Sequence, residues 1–361
     1  MRTQITKLSF TDQSIYVGID VHKKSWKVTI GTENHEHKSF SMNPSAHELS
    51  NYLSRNFPGG TYKAVYESGF CGFHHQRKLA NLGIDCTVIH AADLPSTSID
   101  RQKKTDTHDS RLLMKYMRAG ILKGVHIPDE VLEMDRLLVR QRFAMVKNLA
   151  ASKLRVKSLL MTQGIDAPDY LSESQINSWG KAYLRWLQEL QRTLPLTLGL
   201  VLQNHLDVVF FNLDRIKNLN RQLVVLSMTD RYRENVELLR GIPGIGLNVA
   251  MTLLTELGDI RRFNTLDELC AFIGLMPSTR SSGEKTNTGK LVNRGRSQIK
   301  IMLIEASWIA IRKDPALMLR FDEIAKSKPK NKAIIKIAKK LLSRVRHVLI
   351  NQQPYQTGVI K

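Results

Sequence analysis

Cysteine is scarce. The chain has three in 361 residues, Cys71, Cys86 and Cys270, and they are scattered without metal-ligand spacing. Any disulfide scheme leaves one unpaired, which excludes a disulfide framework and a thiolate zinc site and fits a reducing cytoplasm. Long apolar runs are also missing. No stretch approaches the length needed to span a bilayer, and Met1 to Phe10 has no continuous apolar segment behind its charges, so neither membrane insertion nor secretion is expected. Acidic residues are the third shortage: 33 Asp and Glu stand against 54 Lys and Arg, a formal net charge of +21. Ribosome-associated and anionic-membrane proteins can be as basic, but nucleic acid is the favoured partner of such a chain.

With acids so few, where they gather is informative. Asp20 closes the apolar run Ile15 to Asp20, Glu67 closes Tyr62 to Glu67, and Asp106 and Asp109 stand three apart in Lys104-Thr105-Asp106-Thr107-His108-Asp109. A carboxylate at a strand end beside a core has few partners unless a cation is present. The alternative for Asp20 is a turn or cap aspartate. Asp106 and Asp109 have the alternative of capping a helix at its positive end, and Asp106 is the better cap candidate of the two. Four carboxylates in a basic body suit an enzyme that holds a polyanion while binding divalent metal. His22 and His108 are left unassigned, because a magnesium site needs hard oxygen ligands. Lys23, Lys24, Lys103 and Lys104 flank the acids, either as phosphate contacts or as solvated surface charges.

The length and the 42% hydrophobic content allow two or three packed units. Over residues 1–127 short strands are expected at Ile15 to Asp20, Trp26 to Gly31 and His37 to Ser41, then a helix from Ser45 to about Phe57 and a strand from Tyr62 to Glu67. A helix over Gly72 to Leu82, a strand over Ile84 to His90 and a helix from about Thr105 follow. Over residues 128–236 apolar residues recur at spacings of three and four. Leu138, Met145, Leu149, Val156 and Leu159 mark one long helix, and Val209, Leu213, Ile216, Leu219, Leu223 and Leu226 a second, with a shorter helix around Trp179 to Leu190 between them. Such a pair serves either as a coiled-coil dimerisation element or as an intramolecular bundle.

Residues 237–361 open with Leu239-Arg-Gly-Ile-Pro-Gly-Ile-Gly-Leu, the pattern of a helix-hairpin-helix in which Gly244 and Gly246 free backbone N–H groups toward a phosphate. The rest reads as helical and basic, ending in an amphipathic helix over Lys328 to Leu349 with Ile334, Ile337, Leu341, Val345 and Val348 on one side. Gly274 to Lys285 reads as a hydroxyl-rich loop, and Lys285, Lys290, Arg294, Arg296 and Lys300 follow as a basic run suited to a phosphate.

The order β-β-β-α-β-α-β-α with acids at these positions resembles the RNase H-like nuclease fold, in which the first and fourth strands are neighbours, so all four carboxylates converge on a pair of Mg²⁺ ions about 4 Å apart. The combined motifs, Asp20-Val-His-Lys, Glu67-Ser-Gly, Lys104-Thr-Asp106-Thr-His-Asp109, the Gly241 to Gly246 hairpin with Ala250, and Gly274-Leu-Met-Pro277 leading to Ser282-Gly283, resemble the DEDD transposases of insertion sequences, a family that includes Piv-type invertases and bridge-RNA-guided recombinases. The resemblance implies a RuvC-like α/β domain, a coiled-coil linker and a mainly α transposase domain, with Asp20, Glu67, Asp106 and Asp109 as metal ligands and Ser282 as nucleophile. Ser281 stands where the family usually has glutamine, and Ser110 where alanine is common.

It further implies a covalent phosphoserine link that conserves the phosphodiester energy, donor and target DNA as substrates, a structured guide RNA, and a dimer that assembles into a tetramer in a prokaryotic cytoplasm, nucleoid-associated. Serine and acids lie on separate domains, and assembly across a dimer is the favoured expectation. The competing readings are a Holliday-junction-type metal-dependent endonuclease with water as nucleophile, and a binding protein without catalysis.

Overall fold

A computed structural model describes residues 9–94, 105–282, 285–291 and 295–357, and the backbone alone over 278–282 and 285–290. The chain divides into two compact units, Met1–Ile127 and Pro128–Lys361.

The first unit is α/β. Strands β1 (Ser14–Val21), β2 (Trp26–Gly31), β3 (Glu36–Met42), β4 (Thr61–Glu67) and β5 (Asp85–Ile89) form a five-stranded sheet of order β3-β2-β1-β4-β5. The first three strands pair antiparallel, as an apolar alternation broken by short polar turns dictates, while β4 and β5 run parallel to β1. The connections of the parallel strands are helices, α1 (Ala46–Asn56) and α2 (His74–Asn81). Ser45 caps α1 by accepting from the Glu48 N–H.

Alternation decides the two faces of the sheet. Ile15, Val17 and Ile19 pack with Leu49, Leu53 and Leu79 of α1 and α2 in one core. Val65 and Ile89 pack on the other side against Leu113 of α3 (Asp106–Arg118). Helix α3 lies close because Gly18 has no side chain: a β-carbon there would fall 2.0 Å from the Ser110 carbonyl oxygen. The buried Ser110 hydroxyl is paired with Thr29 at 2.8 Å, which explains how a polar residue is accommodated in this contact.

The second unit is mostly helical. Two long helices, α4 (Glu130–Thr162) and α7 (Leu196–Ser227), pack against each other, joined through α5 (Glu173–Ser178) and α6 (Lys181–Thr193). At one end Val156 and Leu160 meet Trp179, Tyr183, Leu187, Leu202 and Leu206. At the other, Val139 and Leu223 join the largest core, shared with α8 (Arg233–Arg240), α9 (Leu247–Leu257), α10 (Leu266–Ile273), α11 (Ser297–Lys313), α12 (Pro315–Ser327) and α13 (Lys330–Asn351). Ile334, Ile337, Leu341, Val345 and Val348 of α13 are all buried there, on the face the 3.6-residue period selects.

Two expectations are corrected. Residues after Gly274 are not a loop followed only by helices: β6 (Pro277–Ser282) and β7 (Lys285–Leu291) pair as an antiparallel two-stranded sheet. Thr279, Thr286 and Thr288 supply β-branched residues on both strands, a signal that the serines and glycines of the segment obscured. And α7 is long and apolar enough, by length and composition, to cross a membrane. Along it Leu202, Leu206, Val209 and Leu223 are buried in the protein, whereas Leu196, Leu200, Phe211 and Val225 are exposed.

Candidate catalytic site

The site is built where strand ends and a helix start coincide. Ile19 of β1 is in register with Tyr66 of β4, and both belong to the core beneath α1 and α2. The next residues, Asp20 and Glu67, therefore take the opposite face, the one that α3 covers. Asp106 precedes Ser110 by one helical turn and Asp109 precedes Leu113 by one, so both acids continue the sheet-facing rows of α3 toward the strand ends.

Among the described residues, Asp20, His22 and Asp106 each offer a ligand atom within 4.8 Å of the others. His22 Nε2 stands 3.1 Å from Asp20 Oδ2 and 3.4 Å from Asp106 Oδ2. The grouping is half open, with the Asp20 side chain 22% and that of Asp106 65% exposed. Burial is the main cause that raises the Asp20 carboxyl above its usual range; His22 opposes the rise, and the charges of Asp106 and Asp109 add to it. A carboxyl destabilised in this way is one that a cation would relieve.

Helix α3 is capped by Thr105, whose hydroxyl accepts from the His108 N–H. Asp106, the better cap candidate by sequence, is thus released toward Asp20 and His22. Asp109 acts on Asp20 through its charge, and Glu67 lies on the neighbouring strand; neither belongs to the tightest grouping. His22, unassigned from the sequence, does belong to it. Its signal was position alone, two residues past the strand-end acid. Lys23 and Lys24 are exposed beside it, while Lys103 and Lys104 lie outside the described residues.

In the second unit Ser282 ends β6 and pairs with Lys285 at the start of β7, and Lys290 lies near the end of the same strand. Gly283 and Arg294 lie outside the described residues. Gly244 has φ +88, and a β-carbon there would fall 2.2 Å from the Ala306 carbonyl oxygen, so the glycine is required by backbone packing of the α8–α9 turn on α11. Gly246, the N-cap of α9, has open space instead. A hollow of about 310 Å³ lies at this turn, lined by Gly241 to Gly246 with Arg240, Ile309 and Lys313.

Arg296 directs its Nε to within 3.7 Å of Glu256 Oε2, in a cluster the sequence did not reveal. Arg140 binds Glu256 through Nε at 2.5 Å and Nη2 at 2.8 Å. A signal existed: Glu256 is the single acid in the apolar run of α9 and is 3% exposed.

An α/β sheet of this order with carboxylates at the ends of adjacent central strands, followed by a mostly helical unit, is consistent with the RuvC-like class of DEDD transposases. Residues 17–163 match the family model of the IS110 DEDD transposases, described as "Transposase", and residues 236–322 match that of the "Transposase IS116/IS110/IS902 family". The chain is 30% identical to "Putative transposase y4qE" of Sinorhizobium fredii over 73% of its own length and 63% of that protein's. It is 25% identical to "Putative transposase y4rJ" of the same organism over 91% and 90%. To the "Transposase for insertion sequence element IS1533" of Leptospira borgpetersenii it is 24% identical over 69% and 71%. The chain thus spans a little under two thirds of the first of these relatives and most of the second. Its two matched segments, residues 17–163 and 236–322, are similar to the IS110/IS116 DEDD transposases, and the relatives it resembles are named transposases.

Proposed function

We propose that the chain cuts and rejoins DNA in transposition of an insertion sequence, with Asp20, Glu67, Asp106 and Asp109 holding Mg²⁺, two ions by the family's pattern, and Ser282 as the nucleophile. The observation that carries this reading is the approach of Asp20, His22 and Asp106 at the end of β1. The donors fit the metal: carboxylate oxygens predominate, as a hard cation requires, and the Asp20 carboxyl is raised by burial and by neighbouring acids. Mg²⁺ bound there would supply positive charge to the non-bridging oxygens of a phosphodiester.

The other contributions belong to the chain itself. The Ser282 hydroxyl loses its proton and attacks phosphorus. A Ser282 Oγ–P bond forms, the bond to one sugar oxygen breaks, and that oxygen leaves as a hydroxyl. The reverse step on a second strand end releases the serine and reseals the backbone without an external energy source. Lys23, Lys104, Lys285, Lys290, Arg294 and Arg296, with the N–H groups at Gly244 and Gly246, hold the nucleic-acid backbone. The α8–α9 turn, with its glycines and the basic Arg240 and Lys313 at the hollow, supports a helix-hairpin-helix role toward phosphate. The apolar residues left exposed on α7 support a homodimer that pairs into a tetramer when two duplexes are held. The excess of positive charge suits a structured guide RNA as well as donor and target DNA in a prokaryotic cytoplasm.

The test is mass spectrometry on protein isolated under denaturing conditions from cells carrying the native locus. A nucleotide remnant on Ser282 that disappears in Glu67→Ala supports the reading, and one on Ser281 moves the nucleophile by a residue. Cut DNA without a remnant would establish a water-dependent endonuclease instead.

A further inference from the structure

We infer that Arg262, Arg296 and Phe272 form a phosphate-binding site in the second unit, supported by Arg136, Arg140 and Glu256. The inference deepens the nucleic-acid reading above and rests on it for the origin of the phosphate, a backbone phosphodiester.

Three arginines, Arg136 and Arg140 of α4 and Arg296 at the start of α11, stand around the buried Glu256 carboxylate, and Arg262 lies within reach of the charges of Arg136 and Arg296. Glu256 spends both oxygens on the fork of Arg140. Arg136 and Arg296 stand 3.9 and 3.7 Å from Oε2, outside hydrogen-bonding distance. Arg136 Nε donates to the Thr255 carbonyl at 2.9 Å, and Arg262 Nε to the Leu257 carbonyl at 2.9 Å. One carboxylate already bound in bidentate fashion does not neutralise this set. Glu133 and Asp259 add negative charge from farther off, Glu133 toward Arg136 and Arg140 and Asp259 toward Arg262. Even so, burial together with the charges of Arg136 and Arg296 pushes the Arg262 guanidinium down to about 10, and burial and Arg140 push Arg296 down as well. Arg136 is lowered in the same direction.

The two outer arginines are presented in a fixed orientation. The guanidinium carbon of Arg262 lies 4.0 Å from the ring centroid of Phe263 and 4.7 Å from that of Phe272, and that of Arg296 lies 5.5 Å from Phe272. A ring contact fixes a guanidinium plane and leaves its edge N–H groups to a ligand. Arg296 and Arg140 are 43% and 39% exposed, whereas Arg136 is 8%, so the cluster is anchored on the inside and open on the outside. A tetrahedral anion with several acceptor oxygens matches rigid, paired forks. Arg296 also sits between β7 and the first residue of α11, so a phosphate held here lies in the part of the chain that carries Ser282.

The full-length protein is melted in inorganic phosphate and in chloride at equal ionic strength. Phosphate is expected to raise the melting midpoint above that in chloride, because a ligand that binds only the folded state stabilises it. Arg262→Gln and Arg296→Gln are each expected to abolish the difference, and Arg262→Lys to retain part of it, since charge remains but the planar fork is lost. Duplex DNA and single-stranded RNA, tested separately as competitors, identify the source of the phosphate. For duplex DNA, loss of one phosphate contact lowers the slope of log K against log salt by about 0.9. An equal phosphate response in wild type and in both glutamine variants overturns the site. If a glutamine variant loses its helical circular dichroism, the lysine variant decides: a response equal to wild type overturns the paired-fork geometry. The melt does not depend on cleavage, so a normal phosphate effect in a protein that never forms a DNA adduct leaves the site standing and overturns the transposase mechanism alone.

Discussion

Gly18 of β1 and Ser110 of α3 meet at backbone distance, with no room between them for a single carbon: the β-carbon of an alanine at 18 would stand 2.0 Å from the Ser110 carbonyl oxygen and 2.6 Å from the Met114 nitrogen. Two residues farther along β1 is Asp20, and one turn before Ser110 is Asp106. The contact therefore sets the separation of the two carboxylates. Gly18→Ala is expected to push α3 off the sheet, lowering stability by about 1–3 kcal/mol, the usual cost of overpacking, and to reduce strand cleavage far more than that loss of folded protein explains. Chemical denaturation beside a cleavage assay at a temperature where the variant is folded checks it; wild-type cleavage would disconnect this contact from the site.

Asp20 gives a pH-dependent prediction whose sign follows from its raised carboxyl. The folded state binds this proton more tightly than the unfolded state. The stabilisation is therefore full below the ordinary value of 3.8 and is lost as pH rises through the raised folded value. Asp20→Asn should flatten that part of the stability profile and leave the metal-free protein more stable at neutral pH. Mg²⁺ bound at the proposed site is expected to raise the melting temperature of wild type, and the same variant should lose that rise. Melts with Mg²⁺ and with a chelator over a pH series measure both, and an undiminished Mg²⁺ effect in the variant would remove Asp20 from the metal site.

Much of the first unit was legible because its signals are local. Ser45 and Thr105 begin helices as hydroxyl caps, Trp26 and Gly31 bound a strand as expected, and the alternation of Ile15, Val17 and Ile19 identifies the face away from α3. What escaped is decided by distant partners. That Thr105 caps α3 while Asp106 faces Asp20 and His22 depends on how α3 docks on Gly18. The Glu256 cluster joins α4, α9 and Arg296, segments separated by more than a hundred residues in the case of the Arg140 pair, and no periodicity reports it. The β6–β7 pairing was concealed by serine, glycine and lysine content that suits loops equally well.

The long helices show which of their apolar residues are still open. On α7 the pairing with α4 and its neighbours buries Leu202, Leu206, Val209 and Leu223, while Phe211 and Val225 remain 60% and 70% exposed. Exposed apolar side chains repeated along one helix suit association with a second copy. Val225→Asp and Phe211→Asp together are expected to halve the mass seen by light scattering without altering helical content. An unchanged mass would overturn this face as the contact of the proposed dimer.

The Arg140–Glu256 pair separates the cost of breaking an ion pair from the value of having one. Glu256 is 3% exposed and both its oxygens accept from Arg140. Arg140→Ala leaves that charge without its hydrogen bonds, and loss of one partner of a buried pair costs roughly 3–5 kcal/mol. The low end is expected, because Arg296 and Arg136 stand 3.7 and 3.9 Å away and can close on the vacated carboxylate. Removing both charges with Arg140→Met and Glu256→Leu should recover most of the loss, since apolar replacements of similar size avoid the desolvation of either ion. Denaturant titrations of the two single variants and the double variant form the cycle that measures the coupling. A double variant as unstable as Arg140→Ala would show that Glu256 is needed by the remaining arginines rather than by Arg140: their mutual repulsion, no longer offset by a carboxylate, would then dominate. That outcome would make Glu256 the residue that allows Arg262 and Arg296 to lie close enough for a shared anion, and phosphate should then stabilise the double variant more than it stabilises wild type.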